Sequence, residues 1–211
     1  KATDADSLIE AVAHTPYAPI LKRYLKQNSN MQYAELEVAL RVCYLTRVRD
    51  EAEQALSGED MTALQNLVGE QIDLINLINA FRMKSVFHAD EETLRAMMLP
   101  IGGKLPKRIC EALYSAPDVE QFIQVLRTTS YGRKMPELPD VPESVRMELA
   151  FQSLRYQTAR NALHFSGHAA VSLYALHVLN QIEVQNLTTI IEGIRYQKPA
   201  SYLQSLLIME S

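Results

Sequence analysis

The chain of 211 residues is 47% apolar and 22% charged, with 7 Gly, 9 Pro, 2 Cys and no Trp. That is too apolar for a disordered tail and too poor in Gly and Pro for a collagen-like or low-complexity chain. The formal charge of −4 divides into 11 basic and 15 acidic groups before residue 106 and 10 of each after it, so neither half has the basic excess that would make nucleic acid an expected partner.

No cationic, apolar leader precedes the first periodic residues, and the chain opens at Lys1 without Met, so we expect a boundary there and further sequence upstream. The block Leu8 to Tyr17 reads as a short helix ending in Thr-x-Tyr, with a joint at Pro16 to Pro19. From Met31 to Leu56 apolar residues recur at three and four spacing with no internal Gly or Pro, which predicts one long helix. Ser57-Gly58 supplies a C-terminal stop, and Glu59 and Asp60 place negative charge at the start of a second helix running to about Lys84. So short a break predicts an antiparallel hairpin, each arm roughly 35 to 40 Å long. The Pro100 to Pro106 segment, containing Ile101-Gly102-Gly103, is the expected boundary between modules at 1–105 and 106–211.

After it, Phe122 to Thr129 reads as a short helix, Pro136 to Pro142 as a joint, and Ser166-Gly167 as a turn between two more long helices. The stretch from Asn161 to Ile182 has no Asp, Glu, Lys or Arg and could cross a bilayer on length alone. His164, Ser166, Gly167, His168, His177, Asn180 and Gln181 interrupt its hydropathy, so a buried helix is expected and no membrane span. Cys43 and Cys110, far apart and among apolar residues, are expected to be reduced core thiols of a cytosolic protein. Strand alternation and hairpin turns are missing, and the expected class is all-α.

The two halves match in order, at offsets of 109 to 114 residues. Thr15-Pro16-Tyr17 pairs with Thr129-Ser130-Tyr131 after similar short helices, and Leu36-Glu37-Val38-Ala39 with Met147-Glu148-Leu149-Ala150. Ser57-Gly58 falls on Ser166-Gly167, and Asp73-Leu74-Ile75-Asn76-Leu77 on Glu183-Val184-Gln185-Asn186-Leu187. The tails agree as well, with Leu94, Met97 and Met98 on Leu203, Leu206 and Leu207. Shared helical spacing alone would not produce the matched polar features, which identifies an internal repeat. Each copy is a short helix, a long hairpin and a short closing helix.

Catalytic signatures are scarce. No phosphate loop, Gly-x-Ser-x-Gly elbow, His-Glu-x-x-His pair or Cys-x-x-Cys occurs. His164 and His168 are four apart, a spacing that could present two imidazoles to a metal, but Gly167 sits between them at the expected turn, and two helix-end histidines are the plainer reading. Glu37 and Glu148 could be buried acids with raised pKa, yet their matched positions favour a shared structural role, bonding to a neighbouring Asn or Tyr. Asn76 and Asn186 are expected to tie helices together through their amides. No catalytic, cofactor-binding or metal site is expected.

The doubled Thr-x-Tyr, helix Glu and acid-x-x-Asn-Leu features together resemble the C subunit of the archaeal and bacterial V/A-type rotary ATPases, whose eukaryotic vacuolar counterpart is the d subunit. Phe81-Arg82-Met83-Lys84 and Leu99-Pro100-Ile101-Gly102-Gly103 are similar to that family too. The resemblance implies three helical modules about a pseudo-threefold axis, forming a funnel on the cytoplasmic face of the membrane rotor ring and receiving the central stalk. It implies a non-catalytic, peripheral component whose partners are the stalk subunits and the ring, coupling ATP to proton or sodium transport. Tyr196 to Ser211 looks like the family's C-terminus, so the module missing here is expected to be the N-terminal one. The face of the first repeat that would meet it should then be apolar, and the chain should self-associate through it. The alternatives are a helical-repeat scaffold for an unrelated partner and a metal-dependent enzyme using His164 and His168.

Overall fold

A computed structural model describes residues 5–26, 33–135 and 143–209. Among the described residues the regular structure is helical throughout. The first half contains α1 (Ala5–Ala11), α2 (Ala18–Lys26), α3 (Tyr33–Ala55), α4 (Gly58–Ser85) and α5 (Glu91–Ala96). The second half contains α6 (Lys107–Tyr114), α7 (Val119–Arg127), α8 (Ser130–Arg133), α9 (Glu143–Phe165), α10 (Ala169–Arg195) and α11 (Ala200–Leu206). The expected long helices are α3, α4, α9 and α10, while the Pro136 to Pro142 joint lies outside the described residues.

Local chemistry sets the helix ends. Gly58 has φ of +57°, a left-handed conformation that costs a residue without Cβ little, so the chain reverses from α3 into α4 there. The matched Gly167 is not in that conformation, so the two Ser-Gly turns share sequence but not backbone geometry; Ser166 Oγ instead accepts the His168 N–H at 3.2 Å. Asp90 and Asp118 cap α5 and α7 by accepting the backbone N–H of Thr93 at 2.8 Å and of Gln121 at 2.7 Å. Thr129 caps α8 through the Gly132 N–H at 3.1 Å.

The α4 helix is the hub of the molecule. Every residue from Gln71 to Ile78 is buried, so α4 is enclosed on all sides over two turns, not one-sided as a surface helix would be. It packs chiefly along α9, with α10 alongside, and more lightly on α3. The dense seam expected within the α3/α4 hairpin is therefore thinner than the α9/α10 seam, because the apolar girth of α4 is shared among several neighbours. One core cluster joins Leu74, Leu77 and Phe81 to Leu113, Phe122, Phe151 and Leu154, and a second joins Ala52, Leu64 and Leu67 to Ala159, Val171 and Val178. Both therefore draw on residues from each side of Pro106.

The uncharged stretch from Asn161 to Ile182 is not one helix. It is split by Ser166-Gly167 between the end of α9 and the start of α10, where Leu173 is 71% exposed. No helix among the described residues is long and apolar enough to cross a membrane. Cys43 and Cys110 are free and only half-buried, with their thiols toward the Pro16 and Leu105 carbonyls instead of in the core.

Candidate functional site

Three of the singled-out features meet at one buried node. One carboxylate oxygen of Asp73 on α4 accepts the backbone N–H groups of Lys104 and Leu105 at 2.7 and 2.8 Å and the Tyr131 hydroxyl at 2.9 Å. The acid of the first Asp-x-x-Asn-Leu thus holds the Pro100 to Pro106 joint and the Tyr of the second Thr-x-Tyr together. Burial pushes the Asp73 carboxyl above its usual range, and the three donors pull the other way without reversing it. Gly103 is required here: a Cβ on it would lie 1.9 Å from Asp73 Oδ1. The matched Glu183 is exposed and makes no such node.

The two asparagines act alike. Asn76 donates to the Leu99 carbonyl at 3.2 Å and accepts the Leu99 N–H at 2.8 Å, while Asn186 does the same to Ile208 at 2.7 and 3.0 Å. Each amide clasps the backbone just after a closing helix, α5 or α11, where free peptide groups need partners. The expectation of a side-chain tie is met through backbone, not through a facing side chain.

Glu37 and Glu148 correct the expectation of matched acids bonding to Asn or Tyr. Glu37 is exposed and pairs with Arg41 one turn on, at 2.7 Å, whereas Glu148 is half-buried and pairs with Arg82 across the α9/α4 contact. Both sit beside a guanidinium, which outcompetes a neutral partner for a carboxylate. His164 is exposed in the last turn of α9, and His168 precedes α10 with its Nδ1 against Asp60 on α4, so the two imidazoles belong to different elements. Among the described residues no group of three His, Cys, Asp or Glu is placed to hold a metal.

Two surfaces have no signal of their own in the sequence. Along α10, Leu173, Leu176, Val184, Leu187, Ile191 and Ile194 form an open apolar stripe, each 45% to 71% exposed. Its three and four spacing is visible, but periodicity does not say which face is covered. In the repeat alignment Val184 and Leu187 fall on Leu74 and Leu77, which are 0% and 1% exposed beneath the second half. On the first repeat the equivalent face is covered by α7 and α9. The other surface is a polar cavity of about 330 Å³ where α3, α4, α9 and α10 converge, with the buried Arg155 in its wall. Arginine is mostly a surface residue, and nothing in the sequence marks this one as enclosed.

A family model described as ATP synthase (C/AC39) subunit matches residues 1–206. The C subunit of the A-type ATP synthase of Pyrococcus abyssi is 26% identical over 205 residues, covering 94% of this chain and 54% of that protein. The corresponding protein of Methanosarcina mazei is 28% identical over 192 residues, covering 88% of this chain and 50% of its own length. That of Methanococcoides burtonii is 26% identical over 191 residues, 89% of this chain and 51% of the relative. The chain spans about half the length of the curated relatives it matches.

Proposed function

The chain belongs to the ATP synthase (C/AC39) subunit family, and from that membership we propose that it is a non-catalytic central-stalk component of a V/A-type rotary ATPase. In this role it links the rotor shaft to the membrane ring for ATP-coupled proton or sodium transport, held peripherally on the cytoplasmic face. The observation that carries the reading is the family match over residues 1–206, together with three relatives that are all named as the C subunit of an A-type ATP synthase. The enclosed α4 hub suits a part that transmits torque, since close-packed helices deform little.

Residues 1–105 and 106–211 act in this reading as two modules of a larger set, and the open α10 stripe is the place for a further module of the same kind. The support is the equivalence of Val184 and Leu187 to Leu74 and Leu77, which are covered in that way by the module that follows them. Pull-down with the tagged full chain from its source cells should recover the other stalk subunits and the ring. Recovery of neither overturns the proposal.

A further inference from the structure

The cavity between α3, α4, α9 and α10 has a charge surplus that the protein does not neutralise. Arg41, Arg82 and Arg155 line it against one carboxylate, Glu37. Glu37 is committed to Arg41, and Arg82 is engaged by Glu148. Arg155 has no such partner. It is 8% exposed, and among the described residues no carboxylate lies within ion-pair distance of it. Its Nε donates to Gln71 Oε1 at 3.1 Å and one terminal nitrogen to Gln152 Oε1 at 3.0 Å, both neutral amides, themselves buried. The other terminal nitrogen makes no hydrogen bond to a described residue.

Buried charges are ordinarily paired, and a guanidinium is enclosed at a penalty that neutral amides offset only in part. Here the penalty is visible, since burial, with Arg41 as a second cation nearby, pushes the Arg155 guanidinium down to about 10. Gln71 and Gln152 fix the plane of the fork, and Gln71 is itself held by donating to the Arg155 carbonyl at 3.5 Å. Tyr174, buried on α10, adds a hydroxyl that makes no hydrogen bond to a described residue and lines the same cavity. An oriented, unpaired guanidinium beside a free hydroxyl is a donor set for a planar or tetrahedral oxyanion. The volume of about 330 Å³ is at the small end for ligand clefts, which suits a compact group.

We propose that this cavity is an oxyanion site that takes a carboxylate or phosphate group, with Arg155 as its charge partner and Tyr174 as a second donor. Calorimetric titration of the full chain with inorganic phosphate, and separately with sodium acetate, at ionic strength matched with chloride, tests it. At least one titration should saturate, and the unfolding temperature should rise with that anion. A response to phosphate alone identifies a phosphate ligand, and a response to acetate identifies a carboxylate. Arg155→Met should weaken binding at least tenfold, since it removes the charge partner. Tyr174→Phe should bind severalfold more weakly, and it carries the comparison if Arg155→Met does not fold. The proposal is overturned if neither anion saturates the parent chain, or if Arg155→Met or Tyr174→Phe binds as the parent does.

Discussion

Asp73 draws distant parts of the fold together, since its carboxylate receives two peptide N–H groups of the joint and the Tyr131 hydroxyl. Its raised pKa gives a pH dependence of definite sign. The unfolded chain loses the Asp73 proton first as pH rises, so this group lowers stability from about pH 4 upward and imposes no such cost below that. Asp90 has the opposite sign: the Thr93 N–H holds its pKa down, so its contribution is present above about pH 4 and is lost as pH falls through the lowered value. Asp73→Asn removes the first titration. Urea unfolding should therefore show the stability advantage of the parent over Asp73→Asn to be greater at about pH 3 than at pH 7; an advantage that grows with pH would contradict the assignment. That an acid occurs at this place in both repeats is legible in the sequence. That Asp73 alone is buried is not, because burial depends on which neighbour arrives.

At the scale of elements, the repeated asparagine is the device that closes each helical unit. Asn76→Ala and Asn186→Ala each leave a backbone N–H and carbonyl without partners, about 1–3 kcal/mol per unsatisfied group where the site stays dry. The consequences differ with position. Leu99 lies in the interior at the joint between halves, so Asn76→Ala should lower global stability by about 2–4 kcal/mol in chemical denaturation. Ile208 lies near the end of the described chain, after an α11 with no buried residue, so Asn186→Ala should act mainly as local opening. Amide exchange at Ile208 should accelerate while core amides in α4 keep their protection; equal global loss in both variants would refute the distinction. Helix existence and length are readable for α3, α4, α9 and α10, since uninterrupted apolar spacing has few other outcomes. Partner choice is not readable: the loop after α3 predicts a hairpin, while the girth of α4 gives most of its contact to α9.

At the scale of the whole molecule, the α10 stripe leaves six large apolar side chains open to solvent, each 45% to 71% exposed. The double substitution Leu187→Glu with Ile191→Glu falls on positions 49% and 66% exposed, so the fold should survive with a stability change within about 0.5 kcal/mol per site. Sedimentation at high concentration should show the parent chain self-associating and the double variant monomeric. A parent that stays monomeric throughout would mean that the stripe is not adhesive in this chain.

By itself the sequence determined that the protein is helical and where its four long helices run, because backbone propensity, apolar period and turn residues are local properties. Its motifs also pointed to the family that the match over residues 1–206 shows. Only the tertiary structure decided which copy of each repeated residue is enclosed. Asp73 and Leu77 are buried while Glu183 and Leu187 are open, and an arginine is sealed among amides. Burial is a relation between distant segments, and residues matched in sequence diverge once one of them is covered by a neighbouring unit and the other, among the described residues, is left open.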